Sequence, residues 1–178
     1  MEIALLGLRL VVGLAFAAHG AQKLFGAFGG DGIGRTARSF ERIGLRPGKL
    51  HAWVAGTTEF LGGLLIALGL VTPLAATALI AVMVAATLTV GLPNGFFVAS
   101  NGYEYNLVLA ATLFALAGIG AGDWSLDSAV GIDLTGTLPA LGALGAGVLG
   151  GLGAVLSGRL APGRDSGHRR RYAERQAA

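Results

Sequence analysis

The run Ala52–Val71 carries a single charged residue, Glu59, in an otherwise uncharged and mostly apolar stretch. A helix of about 20 apolar residues crosses the roughly 30 Å of hydrocarbon in a bilayer. A carboxylate at its middle costs about 2.5–3.5 kcal/mol on insertion scales, so it turns inward and finds a partner. This one charge constrains the chain to a helical membrane bundle with a polar point inside it. Composition agrees. Of the 178 residues, 53% are hydrophobic and only 13% charged, whereas soluble domains carry roughly 25% charged residues. Cysteine is absent, which excludes disulfides, Cys-ligated zinc, iron–sulfur clusters and thiol redox chemistry on this chain.

Five apolar runs are legible: Ile3–Leu24, Ala52–Val71, Leu74–Leu92, Tyr105–Ala121 and Leu138–Leu156. The expected fold is all-α, a polytopic membrane four-helix bundle with a fifth, Gly/Ala-rich membrane helix. Only Thr72-Pro73 separates the second and third runs, which predicts a tight antiparallel hairpin with Pro73 in a first helical turn. Thr36–Ile43 reads as a short surface helix inside the long first loop. Ala15-Phe16-Ala17 resembles a signal cleavage site, but Met1-Glu2 gives no basic leader, so the first run is expected to stay as a membrane helix. In the fifth run, glycine weakens helix propensity, and a re-entrant segment is the alternative. Its Gly147 and Gly151 form a small-residue contact face, suited to the same bundle or to homo-oligomer formation.

Charge placement sets orientation. Arg35, Arg38, Arg42, Arg46 and Lys49 occupy the first loop, and Arg159, Arg164, Arg169, Arg170, Arg171 and Arg175 the C-terminal stretch. The link after the fourth run holds Asp123, Asp127 and Asp133 instead. The positive-inside rule then puts the N-terminus outside and the C-terminus in the cytoplasm. The basic stretch, with His168 in it, reads as attraction to anionic membrane lipid rather than to nucleic acid. Arg9 reads as a snorkeler at the outer interface.

In this topology the polar side chains converge on the inner half. His19 lies about 6 Å from the inner end of its helix and Glu59 about 12 Å deep. Lys23 and Gln22 share a face with His19, and Glu104 and Asn106 open the fourth run. His19 is the expected donor to Glu59; Lys23 pairs with Glu104 or snorkels. His19, Lys23, Glu59 and Glu104 are expected to line one cavity, under an outer half that is almost wholly apolar. The aromatic residues Trp53, Trp124, Tyr103 and Tyr105 fit an interfacial belt, which also explains Phe96 and Phe97. His19 and His51 are candidate haem ligands, but their placement near helix ends does not favour it. No metal site is expected, and no HExxH, P-loop, dinucleotide fingerprint or serine-nucleophile motif occurs.

Several strings resemble the DoxX family. They are His19-Gly20-Ala21-Gln22-Lys23-Leu24-Phe25-Gly26, Gly44-Leu45-Arg46-Pro47, Glu59-Phe60-Leu61-Gly62-Gly63, Gly69-Leu70-Val71-Thr72-Pro73, and Asn94-Gly95-Phe96-Phe97 with Gly102-Tyr103-Glu104-Tyr105-Asn106. The resemblance covers 1–128 and implies a four-helix membrane bundle there. Residues 129–157, the fifth helix, and 158–178, a basic cytoplasmic tail, lie outside it. It implies a plasma-membrane subunit of a redox system, interacting with quinone and related to thiosulfate:quinone oxidoreduction. Glu59 and His19 would be the catalytic pair, with Glu59 relaying protons. Lys23 or His19 would meet a quinone carbonyl, and Gln22, Glu104 and Asn106 would complete the ligand-binding set. The outer half would hold the isoprenoid tail. Sulfur chemistry would fall to cytoplasmic redox enzymes as partners. Two alternatives stand beside this: a small-molecule or proton carrier, and a non-catalytic scaffold for cytoplasmic enzymes.

Overall fold

The computed structural model describes residues 2–161, and the described residues contain no strand. The basic residues from Arg164 to Arg175 and His168 lie outside them. Six helices follow in order: α1 (Glu2–Phe25), α2 (Gly32–Arg42), α3 (Gly48–Leu68), α4 (Thr72–Asn94), α5 (Glu104–Ile119) and α6 (Thr137–Leu160). A single helical turn, Leu126–Ala129, interrupts the link before α6. All five long helices match the five apolar runs to within a few residues. Short α2 sits where the surface helix was expected.

Four helices, α1, α3, α4 and α6, are long and apolar enough to cross a membrane. The Gly/Ala-rich fifth run is one of them and forms an unbroken helix of 24 residues. The shorter helix is α5, whose 16 residues rise about 24 Å.

Glycine sets the packing of α1 on α3. A Cβ on Gly13 would lie 2.5 Å from the Ala67 nitrogen and the Gly63 oxygen, and one on Gly63 would lie 2.5 Å from the Ala17 nitrogen. Gly20 meets the backbone of Gly56 and Phe60 in the same way. The two backbones therefore touch along an antiparallel seam, which small residues permit and larger ones would wedge open. Beyond α3 the core is built mainly on α4, where Ala76, Leu79 and Ile80 are fully buried.

α6 packs on α4 and α5. Gly147 lies against Ile80, and Gly151 against the backbone of Ala81 and the side chain of Val84. Of the two uses open to the Gly147–Gly151 face, packing within the chain's own bundle is the one seen here. At its far end, the Gly158 carbonyl accepts a hydrogen bond from the Arg46 nitrogen at 3.1 Å. This ties α6 to the loop between α2 and α3.

The opposite end corrects two expectations. Arg9 does not snorkel: it is 1% exposed, and its Nη2 donates to the Trp124 carbonyl at 2.5 Å. Nor is that half of the bundle wholly apolar. Asp127 is buried and accepts from the Val71 nitrogen at 2.7 Å and from the Thr72 nitrogen and hydroxyl at 3.1 Å. A carboxylate there satisfies the free N–H groups at the start of α4 and faces the positive end of the helix dipole. It also holds Val71 at φ 43°, a left-handed conformation costly for a β-branched residue. Gly69, at φ +64°, leaves the room that the Arg9 guanidinium occupies.

Candidate functional site

Glu59 is 3% exposed, in the middle of α3. Its partner is Lys23: the Nζ donates to Glu59 Oε2. This pair follows from the seam. Gly56, one turn before Glu59, has no side chain, and a Cβ there would lie 2.8 Å from Leu24 and 3.4 Å from the Lys23 Cβ. The missing side chain lets the Lys23 stem run along α3 to the carboxylate. The Lys23 side chain stays partly exposed, 28% against 4% for Glu59. α2 covers the pair, and its buried Thr36 donates to the Lys23 carbonyl at 3.3 Å.

The pair forms part of the wall of a cavity of about 470 Å³. This lies within the range of roughly 300–1,000 Å³ usual for small-molecule sites. The cavity runs between α3 and α6 over one face of α4, with Phe40 of α2 and Ile43 just after it at one end. Its lining is mostly apolar and small, including Ala55, Ala78, Ala81, Ala85 and Ala154. The polar groups are few: Lys23, Glu59, His51, Thr58 and Thr89. Thr89 lies in a π-helical stretch, Thr87–Gly91, and donates to the Ala85 carbonyl at 2.7 Å. Such widened turns inside α-helices occur often at functional sites.

The remaining expected site residues lie elsewhere. His19 is exposed and faces a separate groove of about 430 Å³ with Gln22 and Asp31. It is therefore not the donor to Glu59. The Gln22 amide reaches the Phe28 carbonyl at 3.5 Å. Glu104 pairs with neither Lys23 nor His19; its Oε2 accepts from the Val98 nitrogen at 2.9 Å and pins the loop before α5. Glu104 and Asn106 line neither the cavity nor the groove. The four residues expected in one cavity thus divide: Lys23 and Glu59 share it, His19 sits on the other side of Lys23, and Glu104 belongs to a loop. His19 and His51 line different cavities. Sequence reasoning did not single out Phe40 or the α4 alanines. The alanine spacing, Ala78, Ala81 and Ala85, was the available signal, since three- and four-residue steps lie on one helical face.

The DoxX family model matches residues 4–92. The chain belongs to the DoxX family. Helices α1 to α4 with the Lys23–Glu59 pair make up that DoxX region. Two relatives extend the match. The first, "Uncharacterized membrane protein Rv3486" of Mycobacterium tuberculosis, is 34% identical over 130 residues, covering 67% of this chain and 77% of that protein. The second, "Putative oxidoreductase CatD" of Bacillus subtilis, is 32% identical over 117 residues, covering 66% and 81%. No solved structure matches this DoxX protein. It is a membrane protein with several apolar helices.

Proposed function

We propose that this DoxX protein is a membrane subunit of a redox system that binds a lipid-soluble quinone in the α3–α4–α6 cavity. One observation carries the reading: a mostly apolar cavity inside the bundle has a single ion pair, Lys23–Glu59, on its wall. An apolar site with a few placed polar groups orients a ligand through those groups. The Lys23 ammonium is a donor suited to a quinone carbonyl, and Glu59 is placed to exchange protons with a reduced ring. The oxidoreductase name of the Bacillus subtilis relative supports the redox class. Electrons would come from cytoplasmic redox enzymes acting as partners.

The packing gives a carrier no path along the α1–α3 interface. On the Arg9 side of Lys23, the α1–α3 seam closes backbone to backbone at Gly13, Gly63 and Ala67, leaving no space along that interface. Charge placement supports a plasma-membrane orientation with the N-terminus outside. The basic residues of α2 and its flanking loop lie at the Lys23 end, and Asp123, Asp127 and Asp133 at the Arg9 end.

The test is quinone titration of the protein in nanodiscs, followed by Trp fluorescence. Wild type should bind, while Lys23→Met and Glu59→Gln should each weaken binding about ten- to a hundredfold, the worth of one hydrogen bond to a charged group. Absence of binding by wild type, or unchanged affinity in both variants, refutes the reading.

A further inference from the structure

We infer that the ligand enters this cavity sideways from the bilayer, between α3 and α6, and that its chain lies on the alanine face of α4. The inference rests on the proposed quinone reading and adds where the chain goes. The half of the bundle expected to hold it is closed by the Arg9–Trp124 contact, the Asp127 cap and the α1–α3 seam.

The open side is elsewhere. α3 and α6 scarcely touch, while both pack on α4. The strip of α4 between them is therefore left partly open. Its residues there are Ala78, Ala81, Val82 and Ala85, none fully buried. The strip from Ala78 to Val90 is about 18 Å long at the α-helical rise. Val54 of α3, 56% exposed, and Gly150 of α6, also exposed, flank it. All these positions lie within helices long enough to cross the membrane, so the opening faces acyl chains rather than water. Alanine and glycine, with at most a methyl for a side chain, leave a shallow trough there. The trough is continuous with the Lys23–Glu59 wall. A ligand with a hydrogen-bonding ring and a long apolar chain satisfies both ends. A compact polar solute uses only one.

The experiment compares 2,3-dimethoxy-5-methylbenzoquinone with its decyl derivative in nanodiscs, with affinities expressed per mole of lipid to remove partitioning. Trp53 neighbours Val54 and serves as the fluorescent reporter. In wild type the decyl compound should bind about tenfold more tightly than the chainless one. Ala81→Phe should bring that ratio to about one. An unchanged ratio in Ala81→Phe overturns the chain subsite while leaving the ring site standing. Failure of wild type to bind either compound defeats the quinone reading itself. A second measurement does not depend on a variant folding. A diazirine at the tip of the decyl chain, photolysed on the wild-type protein, should label α4 or α6 beside the trough. Labelling on Glu2–Arg9 or the 120–136 link would place the chain at the Arg9 end and overturn the inference.

Discussion

Removing one member of the Lys23–Glu59 pair should cost more than removing the other. The structure sets the order. Glu59 is 4% exposed along its side chain and Lys23 28%. In Lys23→Met, a buried carboxylate loses its partner and has no route to water. Breaking a buried pair from one side costs about 3–5 kcal/mol, because a buried charge is left uncompensated. In Glu59→Gln the ammonium swings into the groove beside Gln22 and Asp31 and recovers hydration by snorkelling. The cost there falls to about 1 kcal/mol, nearer that of an exposed pair. The double variant, Lys23→Met with Glu59→Gln, leaves no buried charge and should recover most of the larger loss. Its deficit should be about 1–2 kcal/mol rather than the sum of the singles. The assay is reversible unfolding in mixed detergent micelles, read by circular dichroism, for the wild type and three variants. Equal costs for the singles, the reverse order, or additivity in the double variant would refute this account of the pair.

Asp127→Ala strips three acceptor contacts from the start of α4 and should lower stability in the same assay by about 3 kcal/mol; a loss under about 1 kcal/mol would mean water replaces the carboxylate. Gly63→Leu should separate α1 from α3 and abolish quinone binding through displacement of Lys23, whereas Gly142→Leu, where a Cβ meets nothing within 4 Å, should leave unfolding and binding unchanged. Single cysteines at exposed Lys49 and Ser128 report orientation, the chain having no native cysteine. A membrane-impermeant thiol reagent should label only Ser128→Cys on intact cells, and labelling of Lys49→Cys would invert the assignment.

The helices were legible in the sequence because hydrocarbon demands long apolar runs, and such runs announce themselves. Glu59 was legible as buried because its cost forces it inward. Its partner was not. His19 and Lys23 lie four residues apart on α1, and depth alone favoured the histidine. What decides the matter is rotation of α1 about its axis, fixed by Gly13 and Gly20 against α3. That rotation leaves His19 exposed and carries the Lys23 stem past Gly56. Arg9 was misplaced, and the burial of the link residue Asp127 unforeseen, for a related reason. Each reads as an interfacial charge when taken alone, and only the return of the 120–136 link over the α3–α4 turn buries both. The cavity was hidden because an alanine strip on α4 has no distinctive composition. It becomes a space only when α3 and α6 stand apart.

The family model ends at residue 92, yet one bank of the trough, Gly150 and Ala154, belongs to α6. The ion pair and the opposite bank come from inside the matched region. The charged end of the site and its width are therefore written in separate stretches of sequence. A bulkier residue at position 150 or 154 would narrow the opening while leaving Lys23 and Glu59 as they are. On the proposed reading, selectivity among lipid-soluble ligands would thus drift in α6 alone, and two proteins bearing the same pair need not admit the same molecule.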